Sequence, residues 1–141
     1  MKKILVTGAT GFIGRHVIAH LLHTGNKIVA SSTSVERARQ MPWFDRVEFI
    51  PLDLGSLEAG KDYFEFFGRP DLLIHLAWSG LPNYKSPIHL DINLPLQSAF
   101  LDNLIRHGLK DLTVTGTCFE YGMREGMLSE DMDVNPTNPY G

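Results

Sequence analysis

Thr7-Gly8-Ala9-Thr10-Gly11-Phe12-Ile13-Gly14 follows the apolar run Lys3-Ile4-Leu5-Val6 and leads into an amphipathic segment at residues 15–22. Apolar strand, glycine loop and helix, in that order, are the context that gives a glycine motif meaning. A nucleotide pyrophosphate needs a backbone that comes close and donates its N–H groups. Gly8 suits the tight turn, Gly11 lets the backbone approach a phosphate, and Gly14 lets the helix pack closely on the strand. The helix N-terminus then offers unpaired N–H donors and a positive dipole end to the anion. The spacing is Gly-x-x-Gly-x-x-Gly rather than the commoner Gly-x-Gly-x-x-Gly. A glycine-rich turn that binds nothing is the bland alternative, and its place at the first strand-to-helix turn argues against it.

Outward from this loop, strand and helix patterns alternate. Residues 3–7 read as a strand that is near-continuously apolar, as a strand buried on both faces should be. Residues 12–23 read as a helix closed by Thr24-Gly25-Asn26. Further strands are expected at 27–30, 47–51, 72–77 and 112–115. Helical segments are expected at 35–40, 56–67 and 88–107, with Pro95 near a kink in the last. Gly122, Gly126, Pro136 and Pro139 punctuate a loop-rich remainder. Strands alternating with helices imply right-handed crossovers and a parallel sheet, an α/β doubly wound domain of the Rossmann type. Such sheets bind ligands beyond the carboxyl ends of their strands, so the informative residues should follow each strand.

Composition narrows the classes. The 141 residues suit one domain with a useful core, and a formal net charge of −3 without a basic block speaks against nucleic acid as the main partner. One cysteine, Cys118, excludes an internal disulfide and fits a reducing, cytoplasmic setting. No apolar run approaches the roughly 18 residues of a membrane helix. The 6 histidines are scattered without metal-ligand spacing, so no metal is expected.

After the second strand come Ser31-Ser32-Thr33-Ser34. NAD-selective sites place a carboxylate here for the ribose hydroxyls. Glu36 comes some residues late, and small hydroxyls with Arg37 and Arg39 suit a 2′-phosphate better. The reading tilts to NADP and leaves NAD open. After the third strand comes Leu52-Asp53-Leu54, in which Asp53 is either a ligand group or a helix cap. After the fourth comes His75-Leu76-Ala77-Trp78, where His75 reads as a buried, hydrogen-bonded strand residue. After the fifth comes Thr115-Gly116-Thr117-Cys118-Phe119-Glu120-Tyr121-Gly122, and the chain closes on Asn138-Pro139-Tyr140-Gly141.

Together these segments resemble the extended branch of the short-chain dehydrogenase/reductase superfamily, the NAD(P)-dependent epimerase/dehydratase family. The match covers nearly all of this chain but about the first half of a family member. The resemblance implies that Thr10, Phe12, Ile13, Leu54, Leu76 and Thr115 join the three glycines, Ser31, Ser32 and Arg37 around the cofactor. It implies that Asp53 accepts from the adenine amino group. Ala77 and Trp78 would run beside the cofactor, with Trp78 facing substrate where a small residue is common. Asn93 would hold the active-site backbone. Thr117 would hydrogen-bond the reacting oxygen, Cys118 and Phe119 would line the substrate pocket, and Tyr140 would be the general acid/base. The family's Lys four residues after that Tyr lies beyond Gly141. The chain as given is therefore expected to be truncated and to turn over little substrate.

Extended members mostly act on nucleotide sugars. Their dehydratases carry Asp-Glu directly after the catalytic Thr, where this chain has Cys118-Phe119, which leaves a 4-epimerase or a 4-keto reductase. A non-catalytic NAD(P)-binding fragment or regulator is the alternative. Homodimerisation through Leu101, Leu104 and Ile105 is a further expectation, unless these residues are core.

Overall fold

Strand β1 (Lys3–Thr7) is the axis of the fold. The structure is a computed structural model that describes residues 1–141. Strands β2 (Lys27–Ser31) and β4 (Leu72–His75) flank β1, pairing in parallel as Ile4 with Ile28 and Ile4 with Leu72. Strands β3 (Glu48–Phe49) and β5 (Asp111–Val114) lie outermost, giving a five-stranded parallel sheet in the order β3-β2-β1-β4-β5. The strand order reverses between β1 and β4, which opens a crevice above their carboxyl ends.

The period of two along each strand divides the core. Ile4, Val6, Ile28 and Ala30 face Ile18 of helix α1 (Phe12–Leu21), Ala38 of α2 (Val35–Arg39) and Trp43. Leu5, Val29 and Leu73 face the other way. They meet Tyr63 of α3 (Tyr63–Phe66), Phe67, and Phe100 and Leu104 of α4 (Leu94–His107). Leu5, Phe67, Phe100 and Leu104 have no exposed surface. Each contributes on the order of 1.5–3 kcal/mol of apolar burial. The sheet is thus covered by helices on both faces, as a doubly wound domain requires.

Several boundaries differ from the sequence expectation. The helix expected at 56–67 is not one helix. Asp53 caps a 3₁₀ turn at Leu54–Ser56, Gly60 takes a left-handed φ of 77°, and Asp62 caps the single turn of α3 by accepting from Glu65 N–H. The two aspartates satisfy local N–H groups that a continuous helix would need for itself. Helix α1 stops at Leu21, where the Thr24 hydroxyl donates to the Leu21 carbonyl. The chain at 47–51 runs alongside β2 with only Glu48–Phe49 as regular strand. Strand β4 ends at His75, because Leu76 and Ala77 turn in against Gly8.

The long helix expected at 88–107 begins as a π-helical turn, His89–Asn93, and runs on without a break into α4, whose second residue is Pro95. Of the proposed dimer residues, Leu104 is fully buried and Leu101 packs on the core, so only Ile105 remains exposed. No helix is long and apolar enough to cross a membrane.

Candidate functional site: a cleft at the strand ends and an aromatic cluster beside it

A cleft of about 400 Å³ lies above the carboxyl ends of the inner strands. That volume falls within the range of small-molecule and cofactor sites. Its floor is the glycine loop. Gly8 has a φ of 65°, and a Cβ there would stand 2.7 Å from the Leu76 carbonyl carbon. A Cβ on Gly14 would strike the carbonyl oxygens of Gly8 and Ala9, so α1 packs on the loop only with glycine at that place. Gly11 caps α1 without a side-chain acceptor, and the first turn carries no acidic residue. The N–H groups of that turn are left for an anion.

Each strand end supplies one side of the cleft. Thr7, Gly8, Thr10 and Gly11 come from β1 and its loop, and Ser31, Ser32, Thr33 and Arg37 come from β2 and the start of α2. Leu52, Asp53, Leu54 and Gly55 follow β3, while Leu76, Ala77, Trp78 and Ser79 follow β4. Ile92, Asn93, Leu96 and Gln97 close it from α4 and the turn before it. The Ser32 hydroxyl is buried and has no partner. An unpaired buried hydroxyl is costly unless a bound group meets it. Asp53 caps the turn that follows it, its Oδ1 accepting from Gly55 N–H at 2.9 Å, and it also borders the cleft. Glu36 lies outside the cleft lining. Its carboxyl is held below the usual value first by a backbone N–H and then by the Ser34 hydroxyl, 3.0 Å away.

Beneath the floor runs a buried polar ladder. Gln97 Nε2 donates to the Ala77 carbonyl at 2.9 Å, which turns its Oε1 toward His75 Nε2 at 2.5 Å. His75 therefore carries its proton on Nε2, and its Nδ1 accepts from the Thr7 hydroxyl at 2.7 Å. Burial lowers the His75 pKa, opposed by the Gln97 hydrogen bond. His75 is thus a neutral structural residue that ties β1, β4 and α4 together.

The structure does not bring all the predicted residues to this cleft. Phe12 and Ile13 are exposed on α1, Gly14 is buried behind the loop, and Thr115 joins β5 to the His75 carbonyl. Thr117, Cys118 and Glu120 border a separate surface groove. The Thr117 hydroxyl accepts from Phe119 N–H at 3.2 Å and caps a 3₁₀ turn, Cys118–Tyr121. Tyr140 sits next to the cleft in a ring of aromatics. Its ring centroid is 6.0 Å from Trp78, 5.4 Å from Tyr84, 5.2 Å from His89 and 6.2 Å from Phe119. Asn93 donates to the Ser79 carbonyl at 2.9 Å and accepts from its hydroxyl at 2.7 Å, bracing the segment after β4. Sequence reading missed Thr7, Ser79 and Gln97. Gln97 carried a signal, being a polar residue one helical turn after Asn93 on the inward face.

Residues 4–141 match the model of the NAD dependent epimerase/dehydratase family. The chain belongs to that family. It is 33% identical over 139 residues to a dTDP-6-deoxy-L-talose 4-dehydrogenase (NAD(+)) of Aggregatibacter actinomycetemcomitans, covering 99% of this chain and 50% of that protein. It is 28% identical to a UDP-glucose 4-epimerase of Pisum sativum, covering 99% and 44% respectively. Among solved structures, a UDP-glucuronic acid 4-epimerase from Bacillus cereus in complex with NAD superposes with a TM-score of 0.75 at 27% identity, covering 99% of this chain and 48% of that one. The UDP-Glc/GlcNAc 4-epimerase from Campylobacter jejuni superposes with a TM-score of 0.85 at 23% identity over 100% and 45%, a likeness of fold. The chain spans about half the length of the curated relatives it matches.

Proposed function

We propose that this chain forms the dinucleotide-binding part of an enzyme that oxidises or reduces a nucleotide sugar at a carbon–oxygen centre, as a 4-keto reductase or 4-epimerase. The cleft above the glycine loop carries this reading: its floor excludes side chains at Gly8 and Gly14, and it leaves the N-terminal turn of α1 and the Ser32 hydroxyl without partners. When bound, a nicotinamide dinucleotide supplies hydride exchange with the substrate carbon. The residues of the chain do the rest. Gly8 to Gly11 and the first turn of α1 hold the pyrophosphate, Asp53 accepts from the adenine, and Ser31 and Ser32 meet the ribose. Ala77, Trp78 and Asn93 border the far end. Tyr140 exchanges a proton with the substrate oxygen, and Thr117, Cys118 and Phe119 belong to the substrate side.

On cofactor choice, Arg37 borders the cleft where no carboxylate does so beyond β2, which favours the 2′-phosphate of NADP. The relatives named with NAD keep NAD as the second candidate. A second functional reading, dinucleotide binding without turnover, draws on Thr117, whose hydroxyl lies outside the cleft and is engaged with Phe119. Titration with NADPH and NADH followed by fluorescence tests the cofactor. Saturable binding is expected, tighter for NADPH, and binding of neither would overturn the proposal. Conversion of UDP- or dTDP-linked 4-keto sugars by the protein carrying this sequence separates turnover from binding alone.

A further inference from the structure

We propose that His89 is a positioning residue that fixes the Trp78 indole as the wall of the cleft at its Tyr140 end. His89 opens the π-helical turn before α4 and is 1% exposed. Its Nδ1 lies 3.0 Å from Trp78 Nε1, and its Nε2 lies 2.8 Å from the Asn83 carbonyl. An indole N–H can only donate and a carbonyl can only accept. The imidazole between them is therefore neutral with its proton on Nε2, and it joins two points of the chain that follow β4. The two rings lie edge to edge and close to coplanar, with centroids 6.1 Å apart and planes 20° from parallel, as an in-plane hydrogen bond between them requires.

The wider π turn brings a second side chain to the same task. Asn93 Nδ2 is 3.4 Å from His89 Nδ1 and also donates to the Ser79 carbonyl. Turns of this kind recur at functional sites, where they re-aim side chains. Here His89 and Asn93 together clamp Trp78, Ser79 and Asn83. Trp78 borders the cleft on one side and meets Tyr140 on the other. Because β2 and β4 flank β1 on opposite sides, Trp78 stands across the glycine loop from Arg37. This inference rests on the dinucleotide reading above: with the adenosine on the β2 side, Trp78 faces the nicotinamide half.

The position makes the role testable without turnover. ADP carries only the adenosine half of NADH, so it reports on the β2 side alone. The chain has two tryptophans, and Trp43 Nε1 has no hydrogen-bond partner, so its indole N–H signal serves as an internal control in a ¹⁵N-labelled sample. His89→Phe keeps a ring in place and removes both hydrogen bonds, whereas His89→Gln retains an acceptor and a donor.

In His89→Phe the Trp78 indole signal should move while that of Trp43 stays, and NADH affinity should fall roughly fivefold or more, the scale of one lost hydrogen bond. ADP affinity should stay within about twofold, and His89→Gln should restore most of the NADH affinity. Equal losses for ADP and NADH, no loss for NADH, or an unmoved Trp78 signal in a folded variant would overturn the proposal. If His89→Phe does not fold, His89→Leu is read in the same way: a moved Trp78 signal with NADH weakened and ADP unchanged supports the proposal, and near wild-type NADH binding or an unmoved Trp78 signal overturns it. Wild-type protein that binds neither NADH nor ADP would instead remove the dinucleotide reading itself.

Discussion

The Thr7 hydroxyl donates to His75 Nδ1 at 2.7 Å, a buried hydrogen bond between two adjacent strands directly under the glycine loop. It requires His75 to be unprotonated at Nδ1. Burial lowers the folded pKa below the usual histidine value. The unfolded chain binds this proton first as pH falls. The stability contributed by the neutral ring is therefore complete above the unfolded value of about 6.5 and is lost as pH drops through it toward the folded value. Urea midpoints at pH 7.5 and 5.5 should show the loss, and His75→Gln should flatten it. Equal pH slopes for the two proteins would refute this account.

Gly14→Ala places a methyl group against the carbonyl oxygens of Gly8 and Ala9. Backbone on both sides leaves little room to adjust, and the expected loss is about 1–3 kcal/mol. Chemical denaturation measures it. NADPH affinity should fall as well, since the displaced atoms belong to the loop. Wild-type stability in Gly14→Ala would contradict the packing described.

Arg37→Ala should separate the two dinucleotides. Loss of a guanidinium facing a 2′-phosphate is expected to weaken NADPH by about tenfold, or 1.4 kcal/mol, and to leave NADH nearly unchanged. Parallel titrations provide the comparison. An equal effect on both would place the 2′ position elsewhere.

Tyr140→Phe keeps the ring contacts with Trp78, Tyr84, His89 and Phe119 and removes only the hydroxyl. If Tyr140 moves the proton, turnover of a 4-keto nucleotide sugar by the protein carrying this sequence should drop by about 10²–10⁴ while NADPH affinity holds. Retained turnover would assign the proton to another group.

Asn103 offers a control remote from the cleft. Its side chain accepts from Tyr63 N–H at 3.0 Å and donates to the Lys61 carbonyl at 2.8 Å, fastening α4 to the start of α3. Tyr63 is buried, so Asn103→Ala strands its N–H and should cost about 1–3 kcal/mol. Dinucleotide affinity should be unaltered.

Much of this fold was legible because its signals are local. Lys3–Thr7 reads as a strand from the three apolar residues Ile4, Leu5 and Val6 and the glycines behind it, and its observed limits are those expected. Residues 56–67 misled because Leu57, Phe64, Phe66 and Phe67 offer apolar spacing that suits a helix. What breaks it is the capping chemistry of Asp53 and Asp62, which competes with that pattern. The strand-end rule located most of the cleft residues that follow β1 to β4. It did not locate the bond between Trp78 and His89, which depends on a π turn that no periodicity announces. Nor did it reveal that Thr117 turns to its own backbone and away from the cleft.

Strand β5 pairs with β4 alone, and all four of its residues are exposed, whereas Ile4 to Thr7 of β1 are buried between two neighbours. Strands held on one side open at lower free energy than those held on both. In this chain the amide hydrogens of β1 and the glycine loop should therefore exchange more slowly than those of β5. Whatever settles in the cleft then rests on a strand held from both sides, while the turn that carries Thr117 and Phe119 follows a strand held from one.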